Sequence, residues 1–564
     1  MPAKPVSTKV LFTNPGTFYQ YTGEEEDRPY YEPLGDADSF TISVLRREGT
    51  PDAAGSGTSR VEYIIEVSED EEKIFEQPIG INNELSYSDP AASVHWPAII
   101  DGNVEKVAFR FAAPETHEAQ VTARMRLQQF VELYNRCTYS LLTGHEELDP
   151  EDEWYQYLGG ATTREVLNED ATNVVLEFDA GHLARTNTGT GNICAVESLQ
   201  FDRFLVVKKS NEKASLEMQT VPQKERGFDR EAMEKLVVHG VDDTSTGALL
   251  ENGDAKMLLF GGSDAAVQRL DLTRGVVVNE YQPADLPVRS VTYANHTAAD
   301  SGTIMTCLGR NVAFNIDLRM DPRNCVVMED GKQIGDYELK SLRRDLTCHA
   351  TSECGHLVTG DACGNIRLYT GPPGARKPSG GYFPKAAKTL LDTKVPIVDI
   401  DVTADGQYIV ATTTTYLLFI ETKCVDDSES TGFQTRMGAK KPQPIILQPS
   451  PEQTLRMGGA DMVRFQGAKF DRSPGTKEMC VVASCGDYLL TWSLRAIALS
   501  RQSGRALVNS DLKIGQTVLS TAANRASHIS FLTESDVGVL PVHEGRKEVS
   551  RPWTWGTKKA AGDG

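Results

Sequence analysis

The sequence predicts a mainly β chain: a WD-repeat-like β-propeller of about seven blades, preceded by a small α+β barrel domain. The first observation is repetition. A strand, turn, strand unit recurs from Ala255, Gly302, Gly355, Gly406 and Lys477, each copy with another β-rich segment ahead of it. The separation is about fifty residues, the length of a four-stranded blade. The second is burial. Tyr416-Leu417-Leu418-Phe419-Ile420 is apolar at every position, whereas a strand with one wet face alternates. Sheets covered on both faces by other sheets are what a propeller supplies. The third is a change of character near residue 195, ahead of which strands run into one long helix.

Taken in order, residues 1–34 read as an N-terminal extension with an acidic run at Glu24–Asp27. Residues 35–140 carry four strand patterns, SFTISVLRR, RVEYIIEVS, KIFEQPIG and KVAFRFAA. After Pro114, the apolar positions Ala119, Ala123, Leu127, Phe130, Tyr134 and Cys137 recur at spacings of three and four, which puts one stripe on one helix face. Strands closed by a C-terminal amphipathic helix suggest a barrel. Residues 141–194, with the charge run His145–Trp154, read as an acidic linker. The propeller is expected over 195–550 and a tail over 551–564. The segment from His528, HISFLTESDVGVLPV, is expected to supply a closing strand for the first blade.

Within the repeats, Asp401, Thr403, Asp405 and Gly406 have the opening spacing of a calcium loop, but the twelfth position is Thr412 where a glutamate is required. Ala404-Asp405-Gly406 therefore reads as a turn between two strands, Tyr408–Thr412 and Tyr416–Thr422, with Gly406 taking positive φ. The four threonines 412–415 fall at the hairpin.

Composition narrows the function. A formal net charge of −21 and a pI near 5.0 argue against a nucleic-acid binder. They also argue against more than peripheral membrane association. The ten cysteines include no Cys-x-x-Cys pair, which fits reduced thiols in the cytoplasm or nucleus. The N-terminus lacks a signal-peptide core, and no apolar run reaches transmembrane length. No cofactor is expected. Cys348, His349, Cys354, His356 and Cys363 lie close together, but their gaps depart from zinc knuckles. Alternation also sends Cys348 and His349 to opposite faces. Gly380–Thr389 ends like a phosphate loop in Lys-Thr, yet has Ala387 where the second glycine belongs. Common hydrolase signatures are absent.

Several of these segments carry a resemblance. GNIRLYT, IDVTADGQYIVAT and TYLLFIE, with Leu270–Tyr281, Asn315–Met320 and Leu489–Leu494, resemble the vacuolar import and degradation protein 27 family over about residues 230–540. The resemblance implies a C-terminal propeller, an upstream pleckstrin-homology-like domain matching the strands-then-helix pattern, and a role in vacuolar import and protein degradation with no catalytic residues. Thr370 stands where that family has aspartate, and Thr413-Thr414 replace its cysteine–lysine step.

One charge feature stands out in so acidic a chain. Arg376, Lys377, Lys385 and Lys388 fall in one long inter-strand loop, and Lys440 and Lys441 in the equivalent loop of the next blade. Repeat geometry should put both loops on one face, where they would form a partner-binding patch for an acidic peptide or phosphate. The sequence thus points to a non-enzymatic adaptor binding proteins. The alternative is an enzyme with a cryptic site in the propeller channel, assembled from residues distant in sequence. In the N-terminal domain, Arg46 and Arg47 are adjacent, so a regular strand splits them between faces, among Glu48, Glu62, Glu66, Glu69, Asp70, Glu71 and Glu72. That pattern favours protein docking over phosphoinositide capture.

Overall fold

A computed structural model describes residues 7–548, except 22–30, 37, 49–60, 81–84, 101, 112–115, 145–162, 166–171, 199–200, 225–226, 252–253, 284–285, 295–302, 328–344, 375–379, 382, 385, 428, 439–440, 473–477, 504–506 and 526–527. The N-terminal region is a nine-stranded curled sheet. The long strand Ser7–Tyr21 pairs with Phe40–Glu48 along one stretch and with Asn103–Phe111 along another. The helix His117–Thr143 packs across this sheet. Thr116 caps its start by accepting from the Ala119 amide, and Gly144 ends it in the left-handed region. Most of the predicted stripe packs: Ala123, Leu127, Phe130, Tyr134 and Cys137 are buried against Phe18, Trp96 and Phe109 of the sheet, while Ala119 in the first turn is only half-buried.

Seven strand sets follow. Blade one is built on 192–198, 203–209, 215–224 and 234–239, and blade two on 247–250, 256–260, 267–271 and 276–281. Blade three has three named strands, 290–293, 304–308 and 313–317. Blade four takes 346–351, 357–361, 365–369 and 389–392. Blade five takes 399–402, 408–412, 417–421 and 445–447, and blade six 465–470, 480–485, 488–493 and 510–513. Blade seven takes 518–525, 528–533, 536–548 and, from far upstream, 172–178. The first strands of successive blades touch in turn, and that of blade seven touches that of blade one, so the ring closes.

Closure runs opposite to the sequence expectation. The His528 segment does not join blade one. Instead Thr172–Phe178 pairs antiparallel with Asp536–Glu548, as the outermost strand of blade seven, and Ala184–Asn187 pairs with the same strand. The stretch 141–194, expected as a linker, therefore contains paired strands. The physical reason is edge satisfaction: without 172–178, the last blade would expose a long unpaired edge. Leu176 and Val175 are buried there, and the Thr491 hydroxyl donates to the Leu176 carbonyl at 3.1 Å.

The opening stretch of blade five behaves as read. Gly406 sits at φ 73°. Asp405 accepts from the Gln407 amide, and the Thr413 side chain closes the next turn on Tyr416. Tyr416–Ile420 is buried throughout, shared between the cores on either side of the blade.

Candidate functional site

Antiparallel strands alternate in direction, so in blades four and five the first-to-second and third-to-fourth connections open on the same face of the ring. The basic loops are third-to-fourth connections of blades four and five, running from Tyr369 to Thr389 and from Glu421 to Ile445. Lys388 immediately precedes the outermost strand of blade four, and its amide donates to the Leu368 carbonyl. Lys441 leads into the outermost strand of blade five, and both side chains are half-buried. Arg376, Lys377, Lys385 and Lys440 lie outside the described residues.

The blade-five loop does not simply extend into solvent. It folds back over blade four. Phe433 is buried and stacks on His356, with ring centroids 4.8 Å apart and planes within 6°. Its carbonyl accepts from the Thr370 hydroxyl, while the Thr370 carbonyl accepts from His356 Nδ1 at 2.9 Å. Farther on, the Met437 amide lies 3.4 Å from the Thr389 hydroxyl, next to Lys388. Thus Thr370 serves as the clasp between the two loops. Burial lowers the His356 pKa, which keeps the ring neutral for the stack.

The loop also holds a cation the sequence reading passed over. Arg436 is exposed and adjacent to the Met437 anchor. Its signal was present: it lies in the same loop as Lys440 and Lys441. The first half of the loop carries the opposite charge, with Asp426, Asp427 and Glu429 exposed. The basic character therefore belongs to the half that folds toward blade four.

Near the same place the N-terminal domain meets the propeller. Tyr139 of the long helix is buried in one apolar cluster with Phe433, Met437 and Leu391, and Leu142 packs against that cluster. The last turn of the helix thus shares a core with the loop anchors.

The five residues that faintly suggested zinc are dispersed in role. Cys348 faces blade five in an apolar cluster, and burial pushes its thiol up to about 12. His349 turns the other way, toward Ser290 and Thr292 of blade three, as alternation predicted. His356 is held by Phe433, and Cys354 and Cys363 are exposed. Among the described residues, no three His, Cys, Asp or Glu side chains come together as a metal site. In the Gly380–Thr389 segment, Phe383 covers Gly371.

The first strands of blades five and six carry an ionic group that sequence reading missed. Lys469 Nζ lies 2.8 Å from Asp399, and Arg472 pairs with Asp401, which also accepts from the Phe470 amide. These acids and bases pair across the blade boundary, where burial raises the Asp401 pKa to about 7. The pairing is invisible in sequence because about seventy residues separate the partners. In the N-terminal domain, Arg46 pairs with Glu48, and Arg47 with Glu76 at 3.0 Å.

A closed ring of blade-like strand sets with loop-built faces, seen among the described residues, defines the class: this is a WD40-like β-propeller protein. Residues 228–511, half of the chain, match the family model described as VID27 C-terminal WD40-like domain, and the chain belongs to that family. It is 30% identical over 261 residues to vacuolar import and degradation protein 27 of Schizosaccharomyces pombe (strain 972 / ATCC 24843), covering 44% of this chain and 30% of the relative. It is 25% identical over 250 residues to the protein of the same name in Saccharomyces cerevisiae (strain ATCC 204508 / S288c), covering 43% of this chain and 30% of that relative. The match thus spans under a third of either relative's length. No helix among the described residues is long and apolar enough to cross a membrane.

Proposed function

We propose that this protein is a non-enzymatic adaptor that captures acidic segments or phosphate groups of partner proteins on the propeller face formed by the long loops of blades four and five. The observation that carries this reading is the clasp. Phe433 and Met437 hold the blade-five loop down onto blade four, which supports a shared basic surface built from two segments distant in sequence. A cluster of cations on a fixed surface attracts an anionic segment where scattered ones do not. Lys388, Lys441 and Arg436 mark the described part of this face, and Arg376, Lys377, Lys385 and Lys440 belong to the same loops. The relatives' name, vacuolar import and degradation protein 27, supports a role in sorting proteins for degradation.

The N-terminal domain serves as a second protein-docking surface. Support comes from Arg46 and Arg47, each paired with a glutamate, which leaves a field unsuited to an anionic headgroup. Affinity purification of the full chain tests the adaptor reading. Stable protein partners are expected, and repeated recovery of the bare chain would sink it.

A further inference from the structure

The boundary between blades three and four is built unlike its neighbours. Thr292, Thr306 and Asn315 are direct cross-strand partners on blade three, so their side chains share one face. His349, Thr359 and Arg367 form the matching row on blade four. The two rows face each other: His349 Nε2 lies 3.0 Å from the Thr292 hydroxyl and 3.2 Å from the Thr306 carbonyl. Below them the boundary turns apolar, with Leu308 and Ala313 against Leu346, Leu357 and Tyr369. On the other side of blade four, Cys348, Val358 and Leu368 meet Ile400, Ala411 and Leu418 in a core without such a polar layer.

Three groups in the polar layer are left over: the Thr359 hydroxyl on blade four and two oxygens on blade three. Thr306 is 0% exposed and Asn315 3%, yet Thr306 Oγ1 and Asn315 Oδ1 have no hydrogen-bond partner among the described residues. Neighbouring side chains on paired strands are about 5 Å apart, a span that one bridging molecule can close. Desolvating two oxygens without compensation is costly, and native interiors meet that cost with ordered water.

We infer that the boundary between blades three and four holds a buried water site, bridging Thr306 Oγ1 and Asn315 Oδ1 beside His349. A water donates to the Asn315 carbonyl oxygen and bonds the Thr306 hydroxyl. Arg367, a donor in the facing row already tied to Asp361 at 2.8 Å, bounds the site on the blade-four side. The ligand class follows from the donors and acceptors: a small neutral molecule that both gives and accepts hydrogen bonds.

The isosteric variant Thr306→Val decides the sign. If water bridges the site, losing the hydroxyl breaks a bond and strands the Asn315 oxygen, so the full chain melts at a lower temperature, and below Thr306→Ser, which loses a buried methyl but keeps the hydroxyl. If the site is dry, Thr306→Val removes an unsatisfied hydroxyl and melting is unchanged or raised, which overturns the inference. A crystal structure showing ordered water at this boundary supports it independently, and one with other ordered waters but none bridging these two oxygens overturns it.

Discussion

Ring closure by the strand Thr172–Phe178 can be tested at Leu176. The side chain is 1% exposed and packs with Cys480 and Val482 of blade six and Ile529 and Val542 of blade seven. Leu176→Ala removes three buried carbons at the point where two blades and the closing strand meet. Leucine-to-alanine changes at buried sites cost about 2–5 kcal/mol. An outermost strand can partly collapse onto the vacancy, so the lower half of that range, about 2–3 kcal/mol, is expected. Urea unfolding followed by tryptophan fluorescence reads the change as a shifted midpoint. A second arm removes the strand altogether. A chain begun at residue 180, ahead of Ala184–Asn187 and of blade one, lacks the Thr172–Phe178 partner of Asp536–Glu548 and should self-associate through the bared edge. A loss below about 0.5 kcal/mol in Leu176→Ala, the scale of an ordinary surface change, together with a monomeric, equally stable truncated chain, would refute closure by this strand.

Two other outcomes follow from particular side chains. Burial pushes the His349 imidazole down to about 4, while in the unfolded chain it titrates near 6.5. Above pH 6.5 both states are neutral and stability is intact. As pH falls toward 4 the unfolded chain takes up the proton first, at a cost of up to about 3 kcal/mol. The groups facing the ring are the Ser290 and Thr292 hydroxyls and the Thr306 carbonyl, with the Lys469 cation also opposing protonation. His349→Gln should flatten the pH dependence of unfolding between 6.5 and 4, and an unchanged slope would contradict this assignment. With Arg47 held by Glu76, the full chain should show no headgroup-selective binding to phosphoinositide vesicles, and strong selective sedimentation would overturn protein docking as the role of the N-terminal domain.

The propeller was legible because each blade repeats a local pattern. Runs such as Tyr416–Ile420 announce burial on both faces, and Ala404-Asp405-Gly406 announces its turn. Closure was not legible, because Thr172–Phe178 sits in an acidic context and finds its partner more than 350 residues away. No local periodicity encodes that pairing. The basic loops could be read as charge in equivalent connections. What joins them could not, since Phe433 reads as one more loop aromatic until the fold sets it on His356 from the neighbouring blade. The splitting of Cys348 and His349 between faces followed from alternation alone. The pairing of Lys469 with Asp399 required knowing which blades adjoin.

The most direct test of the adaptor face is charge reversal at Lys385, Lys388, Lys440 and Lys441 together. An ion pair at a protein surface contributes about 1 kcal/mol or less, so single changes should be weak and the cluster should act as a sum. The quadruple lysine-to-glutamate chain should bind an acidic peptide or its captured partners at least tenfold more weakly at low salt, about 1.4 kcal/mol. The difference from the parent should narrow as salt is raised. Equal capture by the parent and the quadruple variant at low salt would contradict the account.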